Sequence, residues 1–173
     1  IEEGVQVKRP QIGVLIEVPA AVYQARLLAR EADFMAVGSN DLTQYLLAVD
    51  RNNPRVADLY QEVHPAVIMA LREVARAVHA EEKPLGICGE LAGTPAGAIL
   101  LMAMGYHVLS MNATHLLRVK WVIRNIKRSD ARRMLARVLR MDTAEEVAPF
   151  LNKEMVRLGL RKVMPARSTT QSL

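Results

Sequence analysis

Short apolar runs alternate along this chain with longer amphipathic segments. The runs cover residues 12–16, 34–37, 85–87 and 108–111, as in strands buried on both faces of a parallel sheet. Residues 20–30, 65–80 and 95–104 between them have helical periodicity. Pro65 and Pro95 stand at the first turns of the second and third segments, and Gly105 follows the third. The pattern predicts a strand followed by a helix four times over, which is an α/β fold.

Polar residues mark the end of each predicted strand. Glu17, Asp41, Cys88 and Asn112 are separated by 24, 47 and 24 residues, and the longer interval leaves room for a helical segment near residues 56–63. Four βα units at this pitch are half of a TIM-type (β/α)8 barrel, which needs roughly 250 residues. The chain has 173 residues and begins without Met, so we expect a fragment. Residues 1–127 would form the second half of the barrel, and residues 128–173 a C-terminal helical extension.

Local signals also divide the predicted extension. The spacing of Asp142 or Thr143 to the acid three residues later is typical of a capping box, and Gly159 suits the end of the helix that follows. Pro149 lies inside this helix and predicts a kink or an interruption. The last residues, 166–173, are small and polar and predict a frayed tail.

Composition indicates a globular cytoplasmic protein. Hydrophobic residues make up 51% of the chain, but the longest apolar stretch is shorter than the roughly 20 residues that span a bilayer. No signal peptide is visible, so no membrane partner is expected. The single cysteine excludes an intrachain disulfide and a thiolate metal cluster.

Charge is unevenly distributed along the chain. Residues 1–117 hold 9 Lys or Arg against 13 acids, a net −4, whereas residues 118–173 hold 14 against 5, a net +9. Most of the basic excess lies in residues 118–140, on an amphipathic helical pattern. Such a segment can bind nucleic acid, but it is more often the solvated face of a packed helix. Trp121 is its sole aromatic residue, so the segment offers no stacking platform for single strands, and nucleic acid is not an expected partner.

The acids and amides at the strand ends have the chemistry of a metal and phosphate site. Glu17 and Asp41 are hard oxygen ligands on neighbouring strands, a pair that suits Mg²⁺. A lone acid at such a place would more often be a helix cap or a surface ion pair. Asn40 can donate to a phosphoryl oxygen, and Arg51 offers a bidentate fork for phosphate or carboxylate, although Arg51 alone would suit a solvated loop.

Cys88 ends a strand and precedes a glycine, so its thiol could face the same site. A buried lone cysteine is usually a small hydrophobe. Near a cation the thiol could instead act as a nucleophile or as a proton donor. No histidine stands at a readable spacing from it, so the proton-donor role is the stronger of the two.

Several long motifs together resemble one known family. GVLIEVPAAV, FMAVGSNDLTQYLLAVDRNN, HPAVI, GICGELAG and LSMN are similar to successive segments of the phosphoenolpyruvate-binding barrel of enzyme I, the phosphoenolpyruvate-protein phosphotransferases of the bacterial phosphotransferase system. The resemblance covers roughly residues 10–125. The segment AVDRNNPRVADLY resembles the sequence of the nitrogen-type paralogue more than that of the sugar-type enzyme.

The resemblance implies transfer of the phosphoryl group from phosphoenolpyruvate to a histidine on another domain, with release of pyruvate. By motif match, Glu17 and Asp41 hold Mg²⁺, Asn40 and Arg51 hold the phosphoryl end, and Cys88 protonates the enolate. A small histidine-phosphorylated carrier protein and a homodimer are the implied partners. The family usually has an acid where this chain has Thr94. The histidine domain and further arginines of the first half-barrel are absent, so this chain alone should not catalyse phosphotransfer.

Two alternatives remain beside this hypothesis. Pyruvate phosphate dikinase and phosphoenolpyruvate synthase share the Glu, Asn-Asp and Cys pattern, although the CGELAG wording counts against them. From a different class, the chain could be a non-catalytic dimerisation or regulatory module. Magnesium-dependent binding of phosphoenolpyruvate would separate the enzymes from the module.

Overall fold

The chain forms an α/β fold built on a four-stranded parallel sheet. The computed structural model describes residues 8–160. The strands are β1 (Gly13–Ile16), β2 (Phe34–Gly38), β3 (Leu85–Cys88) and β4 (Val108–Ser110), and they lie side by side in chain order. The predicted succession of four strands, each followed by helix, is confirmed. Each connection is a crossover that carries helix, as parallel pairing requires.

Nine helices and one 3₁₀ turn connect and follow the strands in the described residues. They are α1 (Pro19–Tyr23), α2 (Ala25–Glu31), α3 (Ser39–Leu47), the 3₁₀ turn (Ala57–Leu59), α4 (Pro65–Ala80), α5 (Glu90–Gly93), α6 (Pro95–Met104), α7 (Ala113–Asn125), α8 (Arg128–Val138) and α9 (Ala144–Arg157).

Helices α4 and α6 begin and end at the predicted residues, because strong local sequence signals stand at their ends. Proline occupies the first turn of each helix, where its missing N–H costs no hydrogen bond. Thr94 Oγ1 caps α6 by accepting the Gly97 N–H at 3.1 Å. Gly105 ends α6 with φ +93°, a left-handed conformation that favours glycine.

Other predicted helices are broken where the sequence pattern runs on. The segment 20–30 is two helices, α1 and α2, because Gln24 leaves the helical conformation. The basic segment 118–140 is divided between α7 and α8 by extended backbone at Ile126 and Lys127. The break lets α8 turn its buried side against α6. In the long middle interval, the only helical structure over the predicted residues 56–63 is the 3₁₀ turn.

The expected capping box is not formed at the start of α9, because the one side-chain bond there joins residues four apart and leaves the N-cap Thr143 out. Glu146 Oε2 accepts the Asp142 N–H at 3.1 Å, but the Thr143 side chain makes no capping hydrogen bond. Pro149 does not interrupt the helix, which continues to Arg157. Buried Val147 and Leu151 on either side of the proline hold α9 against the core, and this packing offsets the one backbone hydrogen bond that proline removes.

A single hydrophobic core joins the sheet to both the early and the late helices. It includes Met35 and Ile87 of the sheet, Leu100 of α6, and Met134 and Leu151 of α8 and α9. The predicted boundary between residues 127 and 128 therefore falls between two helices that share this core. The predicted frayed tail, residues 166–173, lies outside the described residues. None of the described helices has the length and apolar character needed to cross a membrane.

Candidate active site

The register of the sheet brings the ends of three strands together at one edge. Ile16 pairs with Val37, and Gly38 pairs with Cys88. The residues that follow β1, β2 and β3 therefore meet at the carboxyl edge of the sheet, where active sites of parallel α/β folds form.

Glu17, directly after β1, lies across the end of β2. A Cβ atom placed on Gly38 would be 2.5 Å from Glu17 Oε1 and 2.7 Å from its Cγ. Only a glycine leaves room for the carboxylate to take this path. The side chain of Glu17 is half-buried, which points it along the sheet edge rather than freely into solvent.

Asn40 and Asp41 lie in the first turn of α3, two and three residues beyond β2. Asn40 Oδ1 accepts the backbone N–H of Glu90 at 3.0 Å. The preceding Ser39 Oγ donates to the Cys88 carbonyl at 3.2 Å. These two hydrogen bonds tie the start of α3 to the turn after β3, and they direct the Asn40 amide nitrogen away from Glu90.

Cys88 is half-buried at the end of β3, and its Sγ lies 3.6 Å from the Val37 carbonyl oxygen, to which it donates. Burial raises the pKa of the thiol, and the negative charges of Glu17 and Asp41 raise this pKa further. The structure thus brings both predicted metal ligands within electrostatic reach of the predicted proton donor. The thiol is held in its protonated form, which is the form a proton donor needs.

Arg51 lies beyond the end of α3 and reaches the site through a tyrosine. Its backbone N–H donates to Gln44 Oε1 at 3.2 Å, and its guanidinium lies beside the Tyr60 hydroxyl. Tyr60 in turn donates to the Asn40 carbonyl at 3.3 Å. Burial and the charge of Glu62 raise the pKa of Tyr60, while Arg51 acts to lower it. Arg51 is therefore joined to Asn40 but not directly to Cys88.

A cleft of about 520 Å³ opens beside Cys88. Its lining comprises Asn40, Glu62, Cys88, Gly89, Glu90, Gly93, Thr94, Ser110, Met111, Asn112 and His115. Two glutamates in this list were missed by the sequence analysis. Glu90 could have been found, because it follows a strand end as Glu17 does. Glu62 lies in an irregular segment and carries no comparable signal.

The two missed glutamates line the same cleft, Glu62 half-buried and Glu90 exposed. Burial raises the pKa of Glu62 to about 7, and the nearby carboxyl group of Glu90 contributes to this rise. The carboxyl group of Glu62 therefore keeps its proton to a higher pH than the carboxyl group of an exposed glutamate does.

Glu17 and Asp41 can supply two oxygen ligands to a metal ion. In residues 8–160, no group of three or more His, Cys, Asp or Glu side chains forms a ready-made metal cage. A pair of carboxylates that face the same thiol nevertheless fits the donor set of Mg²⁺, which usually keeps several water or substrate oxygens as ligands.

Comparison with known proteins identifies the family to which the chain belongs. The family model "PEP-utilising enzyme, PEP-binding domain" matches residues 2–128. A protein of Escherichia coli K12 named "Phosphoenolpyruvate-dependent phosphotransferase system" is 41% identical over 157 residues, which are 91% of this chain and 21% of that protein. Its namesake in Salmonella typhimurium is 42% identical over the same shares of the two chains.

A "Phosphoenolpyruvate-protein phosphotransferase" of Haemophilus influenzae is 41% identical over 150 residues, 87% of this chain and 26% of that protein. The chain thus spans about a fifth to a quarter of the length of these relatives. The family match covers all five predicted site residues, from Glu17 to Cys88. On this evidence the chain belongs to the family of PEP-binding domains of PEP-utilising enzymes.

Proposed function

We propose that this chain binds phosphoenolpyruvate and Mg²⁺ at the carboxyl edge of its sheet, as part of a phosphoenolpyruvate-protein phosphotransferase. The observation that carries the proposal is the meeting of Glu17, Asp41 and Cys88, in which two carboxylates act on one half-buried thiol. The names of the relatives support the choice of substrate.

Glu17 and Asp41 hold Mg²⁺ in this proposal, and Asn40 and Arg51 bind the phosphoryl end of the substrate. Bound Mg²⁺ supplies electrostatic stabilisation of negative charge on the phosphate and enolate oxygens. The Asn40 amide is already oriented by its bond to the Glu90 N–H, so it can donate to a phosphoryl oxygen without rearrangement. Arg51, set beside Tyr60, supplies a positively charged fork.

Cys88 is the acid that completes the reaction. The bond between the phosphorus and the enol oxygen breaks as the phosphoryl group passes to a histidine nitrogen on another domain. The electron pair left on the enolate then takes the Cys88 S–H proton at the methylene carbon, which becomes the methyl group of pyruvate. Burial, the largest cause of the raised pKa of the thiol, persists when a cation offsets the charges of Glu17 and Asp41, and it supports this role because it keeps the proton on sulfur until a basic carbon is formed.

The exposed edges of the sheet are an argument that the chain is half of a barrel. Its two outer strands, β1 and β4, are edges, and they expose apolar side chains such as Leu15 (47% exposed) and Val108 (60% exposed). Exposed edges of this kind are normally covered. We propose that four further strands complete a TIM-type barrel and that a C-terminal extension begins at residue 128. In this proposal the enzyme is a cytoplasmic homodimer of the nitrogen type and passes its phosphoryl group to a small carrier protein.

The experiment is a titration of the complete protein with phosphoenolpyruvate, with and without Mg²⁺, by isothermal calorimetry. Binding should require Mg²⁺ and should be lost in Asp41→Asn. Asp58→Asn, at an exposed aspartate of the 3₁₀ turn, is the matched control and should bind normally. Binding that ignores Mg²⁺, or that survives Asp41→Asn, would refute the proposed site. Absence of all binding would favour a non-catalytic module, and a requirement for a nucleotide would favour a dikinase or synthase.

A further inference from the structure

Ser39 is a buried polar residue next to the proposed site. It is the first residue of α3 and is only 2% exposed. A buried hydroxyl needs a hydrogen-bond partner, and the Ser39 hydroxyl has one in another strand-helix unit, because its Oγ donates to the Cys88 carbonyl at 3.2 Å. The ladder between β2 and β3 ends at the pair of Gly38 and Cys88. The hydroxyl therefore continues the connection between the two strands beyond their last paired residues.

Cys88 is held to the end of β2 at two atoms. Its Sγ donates to the Val37 carbonyl at 3.6 Å, and its own carbonyl accepts the Ser39 hydroxyl. A thiol is a weak donor, so the bond at Sγ does little by itself to hold the residue. The bond from Ser39 is the stronger of the two, and it fixes the main chain from which the thiol projects.

The turn after Cys88 is shaped around Ser39 and its neighbour. Gly89 has φ +136°, a conformation that side chains rarely adopt. A Cβ atom on this glycine would overlap Ser39 Oγ and would lie 2.8 Å from Asn40 Oδ1. Asn40 in turn accepts the N–H of Glu90, on the far side of the same glycine. Ser39 and Asn40 thus hold the two residues that flank Gly89, one through a carbonyl and the other through an N–H.

We propose that Ser39 is a positioning residue for the Cys88 thiol: its hydroxyl fixes the Cys88 backbone and so sets where the sulfur stands in the wall of the cleft. Cys88 lines the cleft in which the substrate is proposed to bind. Proton transfer depends on such placement, because the donor must be within hydrogen-bond reach of the atom that takes the proton. The part of this inference that concerns proton transfer rests on the proposed function, whereas the placement of the thiol does not.

Alkylation of Cys88 by iodoacetamide in the ligand-free complete protein, followed by mass spectrometry of the peptide that carries this cysteine, tests the placement. Ser39→Ala removes the hydroxyl, so the turn should loosen and the half-buried sulfur should become more accessible. The alkylation rate at pH 7.5 should rise about 3- to 10-fold, which is the factor that one neutral hydrogen bond supplies. Ser39→Thr keeps the hydroxyl and should restore a rate close to that of wild type.

The matched control is Thr43→Val. Thr43 is also buried on α3, 1% exposed, one helical turn beyond Ser39. Each of the two substitutions removes one buried hydroxyl, so urea unfolding should show a similar loss of stability in Ser39→Ala and Thr43→Val. Alkylation of the native protein should accelerate in Ser39→Ala alone, whereas a merely structural role would change stability and leave the thiol rate at the wild-type value.

A wild-type alkylation rate in Ser39→Ala, or an equal rise in Thr43→Val, would overturn the inference. If the added methyl group of Ser39→Thr prevents folding, the comparison of Ser39→Ala with Thr43→Val decides the result. Because no ligand is present, this outcome is independent of the proposed substrate.

Exchange of pyruvate methyl protons with deuterated solvent in the complete enzyme tests the link to proton transfer. Ser39→Ala should slow this exchange by about 10- to 100-fold, because a displacement of about 1 Å costs up to the larger factor. Affinity for phosphoenolpyruvate should remain that of wild type, because Asn40 keeps its bond to the Glu90 N–H. Unchanged exchange, with the alkylation result intact, would overturn the link to proton transfer and leave the placement standing. A wild type that does not bind phosphoenolpyruvate would overturn the proposed function, and the alkylation result would still decide the placement.

Discussion

Asn40 Oδ1 accepts a 3.0 Å hydrogen bond from the backbone N–H of Glu90, fifty residues away in sequence. This bond fixes which end of the amide faces the turn after β3 and leaves the NH₂ group for a ligand. The orientation of a proposed phosphate donor is thus set by the backbone of a different strand-helix unit.

Replacement of Asn40 by aspartate separates this structural bond from the proposed binding role. Asn40→Asp can still accept the Glu90 N–H, so the fold should be retained, but it removes a donor and adds negative charge next to the phosphoryl group. We expect the affinity for phosphoenolpyruvate in the presence of Mg²⁺ to fall about 10- to 100-fold, which corresponds to one hydrogen bond with a charged group. Calorimetry measures the change.

The control is Asn53→Asp. Asn53 Oδ1 also accepts a backbone N–H, from Arg55 at 3.1 Å, but its side chain is exposed. Its substitution should alter affinity by less than about threefold, as is usual for surface changes. Equal losses in the two variants would show that Asn40 acts through net charge alone.

The reactivity of the Cys88 thiol should change when a metal ion binds between Glu17 and Asp41. The charges of Glu17 and Asp41 act to raise the pKa of this thiol, so a cation bound between them should lower it and increase the thiolate fraction. Alkylation of this single cysteine by iodoacetamide at pH 7.5 should therefore be slow and should accelerate on addition of Mg²⁺. In Glu17→Gln the basal rate should rise and the response to Mg²⁺ should shrink. A rate that Mg²⁺ does not change would contradict the shared site.

The role of Cys88 as a proton donor can be tested by the rate of proton exchange in the complete enzyme. In the complete enzyme, Cys88→Ala should slow exchange of pyruvate methyl protons with deuterated solvent by about 10²- to 10⁴-fold. Binding of phosphoenolpyruvate should persist. Rates are normalised to folded protein, because a cysteine that is only packed would affect stability and leave exchange per folded molecule unchanged.

Gly38 should prove essential to the position of Glu17. In Gly38→Ala the new Cβ would lie 2.5 Å from Glu17 Oε1, so the carboxylate must move. We expect affinity for Mn²⁺, measured by water proton relaxation as a probe of the Mg²⁺ site, to fall about 10- to 100-fold, as when the support of a ligand is altered. Gly86→Ala is the control in the same sheet, because its Cβ would meet Val108 at an ordinary 3.5 Å. Unchanged Mn²⁺ affinity in Gly38→Ala would remove Glu17 from the site.

Glu62 should make the stability of the chain depend on pH. Its pKa is raised in the folded state, so the folded chain binds an extra proton between pH 4.5 and about 7. The free energy of unfolding should fall as pH rises through this range, by at most roughly 3 kcal/mol. Urea unfolding of wild type and Glu62→Gln at pH 5 and pH 7.5 gives the difference. A pH dependence identical in both proteins would show that other groups are responsible.

The strand-helix order and the helix ends could be predicted from the sequence because their causes are local. Apolar runs with polar ends are typical of buried parallel strands, and Pro65, Pro95 and Gly105 act on the few residues next to them. Where local signals were weak, prediction was less successful. Nothing in the pattern indicates that Gln24 divides α1 from α2, or that α8 must turn at Lys127 to pack on α6.

The sequence by itself also placed three residues of the proposed site at one edge of the sheet. Glu17 and Asp41 follow strands and Cys88 ends one. The βα order requires these strands to pair in parallel, so the positions of the three residues at one edge follow from topology. The hydrogen bond between Asn40 and Glu90, and the position of Glu62 in the same cleft, were decided only by the tertiary structure. They depend on the register of β2 with β3 and on the path of an irregular segment. Both of these result from packing among residues far apart in the chain, where no local pattern records the outcome.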